Sequence, residues 1–214
     1  MSSSLQLSRV LSSVHRHPGR PALRRRALFF LLLVPAILLL ADGLKIQAKA
    51  WLAQTLLARS WIAIRAGENE IRPWPWADTR PVGRLRVPRL AIDQLVLEHA
   101  SGRNLAFGPT HVAPSASPGA PGHVVLSGHR DTHFRFLGDL RSGDTLLLAG
   151  PERERIYRVA ATRIIDSRRE SLLLAPEDDH LSLVTCYPFD AISPGGPLRY
   201  VVHALAVTGP DAPQ

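Results

Sequence analysis

Residues 27–44 read ALFFLLLVPAILLLADGL, apolar throughout except for Asp42 near the end. Eighteen residues at about 1.5 Å each make a helix about 27 Å long, enough with its flanks to cross a hydrocarbon core. Residues 44–66, LKIQAKAWLAQTLLARSWIAIRA, hold no proline or glycine and interleave apolar positions with Lys45, Lys49, Arg59 and Arg65. That pattern predicts an amphipathic helix, with Trp51 and Trp61 suited to a lipid interface. It fits a stalk or surface-lying helix and equally a helix packed on the folded domain. Residues 72–83, RPWPWADTRPVG, carry three prolines and two tryptophans. They cannot sustain a helix, and they read as an extended linker whose rings pack on something.

From Arg84 the pattern changes to short apolar runs divided by turn residues: RLRVPRL, AIDQLVLEHA, HVVLSG, DTLLLAG, RIYRVAATRII, HLSLVTC and RYVVHALAV. Clusters such as APSASPGAPG (113–122) and SPGG (193–196) punctuate them. Strand-length runs at this spacing predict an all-β domain, an antiparallel sandwich or barrel, with no long helix after residue 70. The organisation is a basic tail over 1–26, an apolar span over 27–44, an amphipathic stalk and Pro/Trp linker over 45–83, a β-domain over 84–207 and a frayed tail over 208–214.

A chain of 214 residues, 45% of them hydrophobic, supports one domain with a real core plus appended segments. The net charge of +8 would point to an anionic partner if it were spread over the folded part. It is not. Arg9, Arg16, Arg20, Arg24, Arg25 and Arg26 account for six of the eight charges, and the other 188 residues are close to balance. No basic patch interleaved with aromatic residues is present, which argues against a nucleic-acid partner. Arginines before the apolar span put the N-terminus in the cytoplasm and the β-domain across the membrane. A cleaved signal peptide is the competing reading, since AKA at 48–50 has the small-x-small form. Lys45, Lys49 and the length of the region favour an uncleaved anchor.

Cys186 is the one cysteine, at the end of the predicted strand HLSLVTC, and it has no partner for a disulfide. Alone, such a thiol reads as a small buried hydrophobe. A second predicted strand, in VVLSGHRDTHF, ends at Gly128 and presents His129 directly afterwards. An imidazole there can support a thiolate and later protonate a leaving amine. Arg199 lies thirteen residues after Cys186 and opens the strand RYVVHALAV, once the SPGG turn has brought the chain back. Strands that leave and return side by side can face these two residues, so that the guanidinium donates to an oxyanion.

These three elements, SGH ending a strand, then LVTC, then LRY, together resemble the sortases, membrane-anchored cysteine transpeptidases built on a closed β-barrel. PWPWADT, LAFGPTH, GHRDTHF and TCYPFD further resemble the marine proteobacterial branch, class GN, over about residues 72–207. The resemblance implies that Cys186 attacks a backbone carbonyl in an LPxTG-like C-terminal sorting motif of a secreted protein and forms a thioester. His129 serves as acid and then base, Arg199 orients the substrate and stabilises the oxyanion, and Thr185 shapes the substrate pocket. An amine acceptor resolves the thioester. The expected substrate is a protein with a von Willebrand-type domain, and neither cofactor nor metal is implied.

Two other readings remain open at this point. HRDTH places His129, Asp131 and His133 at alternate positions, and on an extended strand all three would face one side as ligands of a metal-dependent hydrolase. That scheme leaves Cys186 and Arg199 without a role, and the choice of His129 over His133 rests on Gly128 and on the family pattern. The other is a non-catalytic, membrane-tethered β-domain. His111, His123, His180 and His203 read as surface or packing residues.

Overall fold

The computed structural model describes residues 20–68, 71–171, 179–192 and 195–207. Most of the basic tail, the tail over 208–214 and two residues of the SPGG turn lie outside them. The chain divides into two compact units, residues 1–48 and 49–214. One helix, α1 (Arg20–Arg65), contributes to both. In the first unit its side chains from Leu28 to Leu40 are almost all exposed, and by length and composition this helix can cross a membrane.

In the second unit α1 is neither a free stalk nor a surface-lying helix. Ala53, Leu57, Ser60 and Trp61 are buried, a spacing of four, three and one that marks a single helical stripe. Gln54 Nε2 donates to the Phe107 carbonyl at 2.7 Å, and Arg65 donates to the carbonyls of Gly150 and Pro151. Trp61 is therefore in a protein interior rather than at a lipid interface, whereas Trp51 stays exposed. In the linker, Trp74 packs edge-on against Phe107 at 5.7 Å and Trp76 is exposed.

Eight strands follow: β1 (Pro81–Val87), β2 (Ile92–Leu97), β3 (Thr110–His111), β4 (Val124–Ser127), β5 (Thr145–Ala149), β6 (Glu154–Asp166), β7 (His180–Cys186) and β8 (Leu198–Ala206). They close into a barrel in the order β1-β2-β3-β4-β7-β8-β6-β5. The sheet is antiparallel except at β2–β3 and β4–β7, so it is a mixed barrel rather than a purely antiparallel one. Seven strands fall on the seven apolar runs. β3, two residues long, has no apolar pattern and exists through its pairing with Ser127 and Leu126 of β4.

Alternation aims Leu85 and Val87 of β1, Leu146 and Leu148 of β5, and Tyr157 and Val159 of β6 into one core with Leu126, Leu181, Leu183 and Val202. Phe134 and Leu137, from the loop after β4, plug the same core. β4 and the middle of β7 are buried on both faces, as parallel neighbours inside a sheet must be, hence the continuous apolar VVL of β4. Closure also removes free edges, which would otherwise expose unpaired backbone groups.

Away from Cys186, three of the four histidines read as surface or packing residues, His123, His180 and His203, form a part-buried polar chain. Ser182 Oγ lies 2.8 Å from His123 Nε2 and 3.2 Å from His203 Nδ1, and His180 meets the His123 ring edge-on at 5.8 Å. Burial holds His203 below the ordinary histidine pKa, and the charges of Arg163 and His180 push the same way. A histidine with a depressed folded-state pKa contributes stability that is complete above the unfolded value of about 6.5 and lost as pH falls through the lower folded value. The thermal midpoint of the detergent-solubilised chain is expected to fall on acidification from about pH 7 to about pH 5. His203→Gln should flatten that slope, which a midpoint-versus-pH series measures.

Candidate active site

The site is built by the parallel pairing of β4 and β7. Val124, Val125, Leu126 and Ser127 run level with Leu181, Ser182, Leu183 and Val184. The Gly128 amide donates to the Val184 carbonyl at 3.2 Å, and Thr185 Oγ1 donates to the Gly128 carbonyl at 2.7 Å. The two segments thus stay joined one residue past the end of β4, with His129 the next residue on one and Cys186 the next on the other. Thr185 is buried, so its hydroxyl meets its hydrogen-bonding need within this joint.

Gly128 has a steric reason to be glycine. A Cβ there would lie 2.6 Å from Cγ of the buried Phe134 ring. That close approach lets the chain fold back at once: the His129 carbonyl accepts from the Phe134 amide at 2.9 Å, and Phe134 enters the core. His129 is left exposed on the rim.

Cys186, half-buried, is the last residue of β7, and its antiparallel partner in β8 is Arg199. Directly opposed residues on antiparallel strands project to the same face with Cα atoms about 4.5–5.5 Å apart. Arg199 Nη1 donates to the carbonyls of Gly196 at 2.6 Å and Leu198 at 2.8 Å, which holds the guanidinium at the turn into β8. Since β7 lies between β4 and β8, Cys186 ends the middle strand, with His129 just past the end of one neighbour and Arg199 on the other. Nucleophile, proton carrier and oxyanion donor can converge from three neighbouring strand ends.

The metal reading fails on backbone geometry. Residues 130–134 form turns rather than a strand, so His129, Asp131 and His133 do not align on one side. Asp131 is committed to Arg130, whose hydrogen bond holds its carboxyl below the usual carboxylate range. His133 is half-buried, with Nε2 3.4 Å from the Ala106 carbonyl, and burial lowers its pKa. Among the described residues, no group of three or more His, Cys, Asp and Glu side chains could hold a metal ion.

Arg130 escapes the sequence reading. Its side chain is only 7% exposed, and it donates to the carbonyls of Pro188 at 2.7 Å and Ala191 at 2.9 Å as well as to Asp131. An arginine beside an aspartate in a turn looks like any surface pair, so nothing in the pattern marks it. Aromatic rings cluster just after the end of β7 and on β8. Tyr187 stacks on Tyr200 at 6.1 Å, and Phe189 meets Tyr200 edge-on at 5.1 Å.

A closed mixed barrel that brings a lone cysteine, a histidine and an arginine to adjacent strand ends defines a small class of β-barrel proteins with a thiol at one pole. The family model described as a sortase domain matches residues 85–207, more than half of the chain, and the chain belongs to the sortase family. It is 36% identical over 127 residues to sortase D of Bacillus subtilis (strain 168), a match covering 59% of this chain and 64% of that protein. The chain thus spans slightly under two thirds of that relative. Among solved structures, the Clostridium perfringens sortase D5 transpeptidase superposes with a TM-score of 0.59 at 18% identity, covering 73% of this chain and 99% of that one. Clostridium perfringens sortase C, solved with the C-terminal cell wall sorting motif, superposes at 0.54 and 19% identity, covering 75% and 90%. At these identities the two structures establish the shared fold.

Thr185→Val keeps shape but leaves the Gly128 carbonyl without its donor, and is expected to cost about 1–2 kcal/mol in urea unfolding. Gly128→Ala drives a methyl into the Phe134 ring and should cost about 1–3 kcal/mol in the same experiment.

Proposed function

We propose that the protein is a membrane-anchored cysteine transpeptidase acting on a C-terminal sorting motif. The observation that carries this reading is the order β4-β7-β8, with His129, Cys186 and Arg199 at the adjoining ends, in a chain of the sortase family. The Cys186 thiolate attacks the carbonyl carbon of the scissile peptide bond and forms a C–S bond. The negative charge on the carbonyl oxygen is met by Arg199, whose two carbonyl partners are its own neighbouring backbone and can be exchanged for the oxyanion. Collapse breaks the C–N bond, and protonated His129 gives its proton to the departing amine. The neutral imidazole then takes a proton from the acceptor amine, whose nitrogen attacks the thioester and expels the thiolate. A new amide bond results. Thr185 contributes by joining β7 to the His129 segment and shaping the pocket beside the thiol.

For substrate, an LPxTG-like motif on a secreted protein is supported by the sorting motif in the Clostridium perfringens sortase C structure. The marine proteobacterial pattern in PWPWADT and TCYPFD supports a von Willebrand-type partner. For location, the apolar helix and the arginines before it support a single-pass anchor over 27–44 in the inner membrane, with a cytoplasmic N-terminus and an extracytoplasmic β-domain over 84–207.

The test incubates the full-length chain in detergent with an LPxTG-like peptide and an amine, and follows products by mass spectrometry. Wild type is expected to carry an acyl adduct on Cys186 and to ligate the amine. Cys186→Ala should show no adduct and lose turnover by about 10³-fold or more. Equal turnover in the two proteins would sink the thiol mechanism.

A further inference from the structure

Arg130 is a permanent charge more than nine-tenths removed from water, an arrangement that is costly unless its donors are matched. Here they are. Nε and Nη2 meet the two Asp131 carboxylate oxygens at 2.8 and 3.1 Å, Nη1 meets the Pro188 carbonyl at 2.7 Å, and Nη2 meets the Ala191 carbonyl at 2.9 Å. The partners come from two segments. Asp131 is in the turn that follows His129, and Pro188 and Ala191 bracket the turn that begins two residues after Cys186. That second turn carries Phe189, whose ring meets those of Tyr187 and Tyr200 edge-on.

Net charge is not the reason for a cation here, because Asp131 neutralises it at hydrogen-bond distance. Geometry is. A planar fork can satisfy a carboxylate and two carbonyls in fixed directions at once, whereas an ammonium on a flexible stem cannot reproduce the set. Below this level the β4–β7 ladder already holds positions 124–128 against 181–185. Among the described residues no further backbone bond joins the two segments beyond Cys186, and Arg130 couples them there.

We infer that Arg130 is a positioning residue for acyl transfer: it binds the loop after Cys186 to the turn after His129, so that thiol and imidazole keep one frame when a peptide enters. The inference rests on the transpeptidase reading for its substrate, but the frame can be measured without one. The Arg130 guanidinium feels the charges of Asp131, Cys186 and Asp190, the Asp131 carboxylate that of His129, and Arg199 pairs with Cys186 across β7 and β8.

The experiment compares full-length wild type, Arg130→Lys, Arg130→Met and His129→Ala in detergent. Two quantities are read: the rate of Cys186 alkylation by iodoacetamide against pH, and kcat and KM for acylation by an LPxTG-like peptide. In wild type the alkylation profile should depend on His129, the proton carrier of the proposed mechanism. Both Arg130 variants should move that profile toward the His129→Ala profile, and lower kcat about 10–100-fold with KM changed far less. Circular dichroism and a thermal melt establish that each variant is folded, and the lysine variant serves if the methionine variant is not. A folded Arg130→Lys with the wild-type profile and kcat overturns the inference, as does a wild-type profile indifferent to His129→Ala. If the alkylation result holds while wild type acylates no peptide, the substrate reading fails and the positioning role stands.

Discussion

The in-register parallel pairing of β4 with β7 is the constraint on which the site depends. These strands are remote in sequence, and only closure of the barrel makes them neighbours. Once Val124 is level with Leu181, each later residue is placed in turn, up to the Thr185 hydroxyl on the Gly128 carbonyl. Cys186 and His129 each follow the last β4–β7 pair, Ser127 with Val184, by two residues, so both belong to the same end of the barrel. A slip of one residue would turn Leu126 and Leu183 away from the core, so the apolar burial that stabilises the barrel also sets the alignment of the rim.

The surroundings of the rim are organised so that few polar groups are left unmet. Arg199 rests on two carbonyls of its own turn, Arg130 on two carbonyls and a carboxylate, and Thr185 on the Gly128 carbonyl. His129 is the exposed member and Cys186 the half-buried one. A side chain at the end of a buried strand is held by the ladder below it yet open to a ligand above, the usual advantage of loops carried by a rigid scaffold. Phe134 contributes from beneath: its ring fills the space that a Cβ on Gly128 would need, and so couples the core to the position of His129.

Helix α1 shows one element serving two environments. Its exposed apolar stretch suits lipid, while four residues further along, spaced as one stripe, suit protein. Alternating cationic and apolar residues did predict a helix over residues 44–66, but such a pattern is equally compatible with lipid headgroups and with a barrel wall. Trp61 shows why. An amphipathic ring satisfies either setting, and only the presence of a complementary surface decides between them.

Periodicity in the sequence determined seven of the eight strands, the all-β class and the apolar helix, because local alternation and turn residues respond to short-range sterics and burial; His129, Cys186 and Arg199 became candidates through their residue types at predicted strand ends and through the family resemblance. Spacing alone could bring Cys186 opposite Arg199, since one turn joins their strands. Only the tertiary structure decided the rest. β3 exists through long-range pairing rather than through its own pattern, and the mixed direction of the sheet follows from which ends meet on closure. HRDTH is a turn because Phe134 must return to the core, and that separates three side chains which an extended reading would align. Arg130 is buried only because the loop after Cys186 folds over it, a contact 58 residues distant in sequence that no local pattern can encode.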